Sequence, residues 1–169
     1  MFNHHLNNCF FIFLFIFFVF GCSQNEDQRK FEQEAFQLPE GITQTNGRGQ
    51  VVNDNVDPDD WRVAPFFQGS VQVDPAFPNP VLTNDRLTIN ITSLLDAISG
   101  LQVYALHNIN QFSRPLYFDD RVPLPPGLTS ISINPLDIPQ TPEDPRGLYR
   151  IIVFDRNENV ITYGDIEIE

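Results

Sequence analysis

The sequence has few of the residues on which most enzyme chemistry and most disulfide frameworks depend. Of 169 residues, 3 are histidine and 2 are cysteine. The cysteines are Cys9 and Cys22, and the histidines are His4, His5 and His107. This composition excludes a zinc site built from several Cys and His ligands. If Cys9 leaves with a cleaved signal, the mature chain folds without an intramolecular disulfide.

Basic residues are also scarce. The sequence contains 10 Lys and Arg against 22 Asp and Glu, which gives a formal net charge of −12. An acidic surface repels the phosphates of nucleic acids and anionic lipid head groups. We therefore expect no nucleic-acid partner, and we expect membrane attachment to come from a covalent lipid.

Catalytic motifs are missing too. There is no Gly-rich phosphate loop, and His107 has no nucleophile elbow nearby. Paired carboxylates remain, at Asp119, Asp120 and Asp155, but 22 acidic residues make such pairs easy to find by chance. We predict that the protein is not an enzyme and has no catalytic residues.

The one long apolar run lies near the amino terminus, where residues 9–20 read CFFIFLFIFFVF. A membrane-spanning helix needs about 20 apolar residues, whereas the hydrophobic part of a secretory signal needs about 7 to 15. The length therefore favours a signal peptide over residues 1–21, although no Lys or Arg precedes the run.

The run ends in Val19-Phe20-Gly21-Cys22, which resembles the lipobox of bacterial lipoproteins. In that family the cysteine receives a diacylglycerol, the chain is cut before it, and the new amino terminus is acylated. The resemblance implies that Cys22 is lipidated, and two or more acyl chains make a stable membrane anchor. The alternatives are an ordinary signal peptide with a chance cysteine and an uncleaved anchor helix.

The residues after Cys22 read SQNED. Ser23 in place of Asp resembles the outer-membrane sorting signal of lipoproteins, and the acidic pair resembles the surface-export signal of lipoproteins from Bacteroidota-type bacteria. These resemblances imply a lipid-anchored outer-membrane protein, with exposure at the cell surface as the finer expectation.

Residues 22–60 are polar and poor in aliphatic side chains, so we predict a disordered acidic tether. Phe31 and Ala35 are four apart and could share one face of a short, marginal helix. Asp54, Asp57 and Asp59 are candidate Ca²⁺ ligands, because clustered carboxylates suit that ion. The segment lacks the Gly and terminal Glu of an EF-hand loop, so a solvated linker and no bound cofactor are the expectation.

From Trp61 onward the pattern is that of β-structure, which defines a domain over residues 61–169. Strict alternation in RLTINIT and LTSISIN predicts half-buried strands. The segment GLYRIIVFDRNENVITYGDIEIE predicts a hairpin whose first strand is buried on both sides and whose last strand has one wet face. SLLDAISG, with Ser93 as N-cap and Gly100 as stop, predicts one turn of helix. These elements predict an all-β, antiparallel, immunoglobulin-like β-sandwich, with a small barrel as the alternative.

The segment 76–169 also resembles a known family. It begins with AFPNPV, continues with LTINI and LQVYAL, and closes with GLYRIIVFD and ITYGDIEI. This combination resembles the C-terminal sorting domain of the type IX secretion system of Bacteroidota. The resemblance implies a small immunoglobulin-like sandwich and an exported protein.

Binding is the function class that remains. Trp61, Phe66 and Phe67 are candidate binding residues, with coverage of the core as their alternative role. The first hypothesis is a structural or accessory lipoprotein that docks onto an envelope protein complex through a strand edge or an aromatic patch. The second is a surface lipoprotein that binds glycans or other nutrients. An aromatic-lined groove would favour the second.

The lipid anchor gives a first testable prediction. Changing Cys22→Ala removes the thiol that the lipobox resemblance marks for acylation, so the chain should stay unlipidated and uncleaved. Intact-mass measurement of the membrane fraction checks this result. Cys9→Ala is the matched control and should mature normally; normal maturation of Cys22→Ala would contradict the lipoprotein hypothesis.

Overall fold

The computed structural model describes residues 23–108, 111–141 and 143–169. The predicted signal peptide, residues 1–21, and the predicted lipidation site, Cys22, lie outside the described residues. One α-helix and eight β-strands are assigned within the described ranges. The helix α1 is Ser23–Ala35, and the strands are Val71–Val73 (β1), Leu87–Ser93 (β2), Leu101–Asn108 (β3), Gln111–Phe112 (β4), Tyr117–Asp119 (β5), Gly127–Ile133 (β6), Gly147–Phe154 (β7) and Val160–Ile168 (β8).

The strands form two antiparallel sheets, as the alternation patterns predicted. The three-stranded sheet has the order β1-β2-β6. The five-stranded sheet has the order β4-β3-β7-β8, and β5 also pairs with β3. The predicted all-β sandwich is therefore confirmed, with both sheets antiparallel.

The core lies between the two sheets. In β2 the burial alternates strictly, so that Leu87, Ile89 and Ile91 are buried while the intervening side chains are partly exposed. These residues face Ile131 and Ile133 across the ladder to β6, and all five share the inner face. The inner face of the other sheet is equally apolar, with buried Leu101, Val103, Ala105, Ile151 and Val153.

The hairpin of β7 and β8 was predicted correctly, and its turn is held by one side chain. The Asp155 carboxylate accepts hydrogen bonds from the backbone N–H groups of Asn157 and Asn159, each at 2.9 Å. It also accepts a bond from the Asn159 side-chain amide at 3.1 Å. Asp155 is 3% exposed, so this carboxylate serves the turn.

The predicted helical turn in SLLDAISG is wrong. Residues 94–96 form bends, and residues 97–100 have no regular secondary structure. The Ser93 hydroxyl donates to the Leu95 carbonyl at 2.6 Å instead of capping a helix. Ile98 is buried, and its carbonyl accepts the N–H of Leu124 at 2.8 Å. Burial of Ile98 and this long-range bond hold the segment against the core in place of local helical hydrogen bonds.

The prediction of a disordered tether over residues 22–60 is also wrong for its described part. Residues 23–35 form α1, and Phe31 and Ala35 are buried. The Phe31 ring lies 5.0 Å from the ring of Tyr163 on β8. A helix with a poor apolar stripe is marginal alone, and tertiary packing supplies its stability. The four-residue spacing of Phe31 and Ala35 correctly indicated that both lie on one face of a helix.

The rest of this segment joins the edge of the five-stranded sheet. Trp61 and Ala64 donate their backbone N–H groups to the carbonyls of Tyr163 and Ile161 at 2.7 and 2.9 Å. The Trp61 indole lies against Gly164, where even a Cβ atom would overlap the ring. The amino-terminal segment therefore covers the free edge of β8.

The prediction of one wet face on β8 is wrong for the same reason. The first seven residues of β8 are all buried, and so is Ile168. Within the strand only Glu167 is partly exposed. Asp165, predicted to face water, is 1% exposed. The segment that the sequence marked as a linker covers this face.

Asn79, the centre of the PNP motif, ties the amino-terminal segment to β8. Its side-chain amide donates to the carbonyls of Thr43 and Asp165 at 3.0 and 2.9 Å, and its side-chain oxygen accepts the N–H of Glu167 at 2.9 Å. Its backbone exchanges two further bonds with Thr45. The side chain is fully buried, so its three bonds have no water to replace them.

No helix in the described ranges is both long and apolar enough to cross a bilayer.

Asn79 gives the second prediction. Asn79→Ala leaves buried backbone groups without partners, so the free energy of unfolding should fall by about 2–4 kcal/mol. Chemical denaturation measures this loss. Asn55→Ala is the control, because the side chain of Asn55 is exposed, and it should change stability by less than about 0.5 kcal/mol. Equal effects of the two changes would contradict the role assigned to Asn79.

Candidate functional site

The three aromatic residues singled out in the sequence do not form a site together. Trp61 and Phe67 are 4% and 1% exposed and belong to the core. Phe66, in the short 3-10 helix Pro65–Phe67, is 69% exposed and makes an edge contact with the Phe67 ring at 5.3 Å. Trp61 and Phe67 therefore have the role that was the alternative to binding, which is to cover the core.

Two of the three candidate Ca²⁺ ligands, Asp57 and Asp59, have partners within the protein. The Asp57 carboxylate accepts the N–H of Asp59 at 2.9 Å, and the Asp59 carboxylate forms an ion pair with Arg62 at 3.2 Å. Asp54 adopts a positive φ of 52° in the neighbouring turn. In residues 23–108, 111–141 and 143–169, no group of three or more His, Cys, Asp or Glu side chains is placed to hold a metal ion.

His107 lies in β3 and is half-buried. Burial lowers the pKa of its imidazole, which favours the neutral ring. It borders a hollow of about 410 Å³ that also contains Asp137. The Asp137 carboxylate is bound by Arg114 at 2.8 Å. This pairing directs the carboxylate toward Arg114.

The carboxylates named as candidate catalytic pairs have structural partners as well. Arg121 binds the carboxylate of Asp119, and this contact lowers the Asp119 pKa. Asp155 holds the hairpin turn described above.

A different aromatic cluster lines a groove on the outer face of the five-stranded sheet. Tyr104 on β3 and Phe154 on β7 point outward, because their inward neighbours Val103 and Val153 are buried. Phe112 comes from β4. Phe36 follows α1 directly and reaches the same place. We call these four residues the aromatic groove.

Four of the contacts among these rings are edge to face, and the Phe36 and Phe154 rings are tilted at 35° to each other. Phe112 lies 5.8 Å from Phe36, 5.8 Å from Tyr104 and 5.9 Å from Phe154, with interplanar angles between 62° and 80°. Tyr104 and Phe154 are 5.9 Å apart. Such contacts hold the rings in place, at about 0.5–1.5 kcal/mol for each pair beyond area burial. The groove is thus preorganised.

Polar groups stand beside these rings. The groove encloses about 420 Å³ and is completed by Gln102 and Glu158. The Tyr104 hydroxyl donates to the Gln102 side-chain oxygen at 2.8 Å, so this bond uses the oxygen and not the N–H groups of the Gln102 amide. Glu158 sits in the β7–β8 turn with a φ of 66°. The groove therefore offers apolar ring surface, an amide donor and a carboxylate acceptor.

Sequence patterns indicate only part of this groove. They place Tyr104 and Phe154 in predicted strands, but the run around each is apolar on both faces. They place Phe36 in a predicted tether, and β4 has only two residues. The assembly of the aromatic groove depends on the packing of α1 against the sheet.

A buried polar network connects α1, residues 34–60 and β8. Arg150 donates to both carboxylate oxygens of Asp165, from Nε at 2.7 Å and from Nη2 at 2.8 Å. Its Nη1 donates to the carbonyls of Glu34 and Gln37, at the carboxyl end of α1. A cation at this end of a helix satisfies free carbonyls and interacts favourably with the helix dipole.

Asp60 extends the network. Its carboxylate accepts the N–H of Asp165 and the N–H of Thr43, both at 2.7 Å. Burial raises the pKa of Asp60 to about 7, assisted by the nearby charges of Asp165 and Asp57 and opposed by these two N–H donors. No sequence pattern distinguishes Asp60 from its acidic neighbours.

Comparison with known proteins found structural similarity but no matching family. No family model matches it, and no curated protein matches it. Among solved structures, a beta-glucosidase from Listeria innocua in complex with isofagomine is similar at 17% identity and a TM-score of 0.38. That similarity covers 58% of this chain and 16% of the enzyme, so this chain spans only a small part of the enzyme's length.

Two smaller proteins are also similar. A candidate lipoprotein from Bacillus anthracis has 15% identity and a TM-score of 0.35 over 66% of this chain and 88% of that one. A Niemann-Pick type C2 protein from Japanese carpenter ant has 11% identity and a TM-score of 0.29 over 53% and 78%. At these TM-scores the similarities carry no argument about function.

Asp60 gives the third prediction. Because its pKa is raised in the folded protein, its contribution to stability is complete below about pH 4 and is lost as the pH rises toward about 7. Asp60→Asn has no carboxyl group to titrate at this position, so its stability should not show this pH-dependent loss. The difference in unfolding free energy between wild type and variant should therefore change between about pH 4 and pH 7. Denaturation at several pH values measures it. Asn55→Ala removes no titratable group and is the control, so its difference from wild type should not vary with pH; a constant difference for Asp60→Asn would contradict the assignment.

Proposed function

We propose that this protein is a lipid-anchored lipoprotein of the outer membrane that binds a neutral glycan in the aromatic groove and catalyses no reaction. The observation that carries the proposal is the combination of fixed rings with polar groups in one groove. Sugars present apolar C–H faces and hydroxyl groups together, so they match such a surface. The carboxylate of Glu158 disfavours anionic ligands.

The size of the groove fits this ligand class. A volume of about 420 Å³ lies in the range of small-molecule sites. Phe112 is 36% exposed, and Phe36, Tyr104 and Phe154 are partly exposed, so ring surface is accessible to a ligand. The rings need little reorganisation on binding, which limits the entropic cost.

The anchor and the fold class are parts of the same proposal. Lipidation at Cys22 would place the membrane next to α1, which begins at Ser23. The folded body would then lie close to the bilayer instead of at the end of a long tether. The strand orders β1-β2-β6 and β4-β3-β7-β8 correspond to those of an immunoglobulin-like sandwich that lacks the edge strand D. A surface location would give the groove access to external glycans.

The second candidate function is that of an accessory protein in an envelope complex. The observation that favours it is the open edge of β6, which pairs only with β2 among the described strands. A strand edge is a site at which a protein partner can add a strand.

The fourth prediction tests the groove. Phe112→Ala removes a central ring and should weaken glycan binding by about tenfold or more, because one stacked aromatic contributes on the order of 1–3 kcal/mol. Isothermal titration calorimetry with a set of neutral hexasaccharides, and with an anionic hexauronate for comparison, measures the affinity.

Phe66→Ala is the matched control. Phe66 is exposed but lies outside the groove, so its removal should leave affinity unchanged. Glu158→Gln should raise the affinity for the hexauronate relative to the neutral sugars. Binding of no neutral sugar, or equal loss in Phe66→Ala and Phe112→Ala, would contradict the proposal.

A further inference from the structure

The three-stranded sheet presents a surface of a different kind. The outward side chains of β2 are Thr88, Asn90 and Thr92, and opposite them on β6 are Ser132, Ser130 and Leu128. None of these six is charged, although the chain as a whole carries a formal net charge of −12. The guanidinium of Arg86 lies against one of them, since its Nε donates to the Ser132 hydroxyl at 3.1 Å. The strand residues themselves therefore place no carboxylate in the way of a partner.

The edge of this sheet is open at β6. The sheet order ends at β6, so its outer row of backbone N–H and C=O groups has no strand beside it among the described residues. Soluble proteins usually block such edges with charges, prolines or bulges. Gly127–Ile133 contains no charged residue and no proline, and its ladder to β2 runs through seven pairs without a bulge.

The lack of charge extends beyond the strand. Residues 122–136 contain no Asp, Glu, Lys or Arg. Within them Val122, Leu128 and Leu136 are exposed by 59%, 63% and 46%. Exposed apolar side chains therefore lie along and at both ends of an unblocked edge, which is typical of an interaction surface.

Charge decides which occupant fits. A second copy of the chain would bring another formal charge of −12 to the contact. A segment with basic flanks is instead attracted by the acidic protein and steered to it. We propose that β6 accepts an extended segment of another protein as an added antiparallel or parallel strand, and that this segment has an uncharged centre and basic flanks. This surface lies on the sheet opposite the aromatic groove, so the proposal does not depend on glycan binding.

The experiment uses the full chain purified from membranes in detergent. The probe is the blocked peptide KKTVTVTKK, and the comparison peptide EETVTVTEE has the same centre with acidic flanks. Hydrogen exchange of the backbone is followed by mass spectrometry at about 1 mM peptide. We expect the basic peptide to slow hydrogen exchange within residues 127–133. The acidic peptide should bind at least about tenfold more weakly than the basic peptide.

Two proline variants supply the edge control. Successive residues of an antiparallel strand direct their N–H groups alternately toward the neighbouring strand and away from it. Of Thr129→Pro and Ser130→Pro, one therefore leaves the ladder to β2 intact and blocks only the open edge. The variant that keeps the native melting temperature should lose the peptide effect. If both variants unfold, the exchange difference between the two peptides on the wild-type chain remains the test.

Several outcomes would overturn the proposal. One is a rate of hydrogen exchange in residues 127–133 that the basic peptide leaves unchanged. Another is an equal slowing of exchange by the basic and the acidic peptide. A third is protection already present without peptide in a chain that sediments as a dimer, because the occupant would then be a second copy. Phe112→Ala, which alters the groove, should leave the peptide effect unchanged, so failure of the glycan proposal is distinguishable from failure of this one.

Discussion

The buried ion pair between Arg150 and Asp165 is the interaction on which the amino-terminal half of the structure depends. Both side chains are nearly inaccessible to water, at 6% and 1% exposure for the whole residues. A buried pair is stable only when its remaining hydrogen-bonding groups are satisfied, and removal of one partner costs about 3–5 kcal/mol. Here the Glu34 carbonyl of α1 accepts from Arg150, the Glu40 N–H donates to the Asp165 carboxylate, and Asp60 accepts the backbone N–H of Asp165. The pair and the segment that covers it therefore require each other.

This mutual requirement determines which surfaces are left for function. The covering segment occupies one face and the free edge of β8, so neither is available to a partner. It also delivers Phe36 to the sheet, which completes the aromatic groove. The edge of β6 has no strand beside it among the described residues. The aromatic groove and this open edge thus lie on opposite sheets of one sandwich.

The sequence was informative wherever a local pattern repeats. Alternation in β2 and β6 and the buried run of β7 predicted their strands and burial correctly, because period-two burial depends only on which face meets the core. The helix was underestimated, since Phe31 and Ala35 form a stripe that is adequate only against Tyr163. The groove and Asp60 could not be found, because their neighbours come from distant parts of the chain.

What the sequence by itself determined is the acidic charge, the shortage of His and Cys, the β-sandwich class, and the expectation of a lipid anchor at Cys22. These follow from composition and short-range pattern. Only the tertiary structure decided that residues 23–60 are part of the folded body, that Trp61 is core, and that four rings meet in a groove. The physical reason is that a polar segment orders itself only when a partner, here Asp165 with Arg150, supplies contacts that exceed the entropy of ordering.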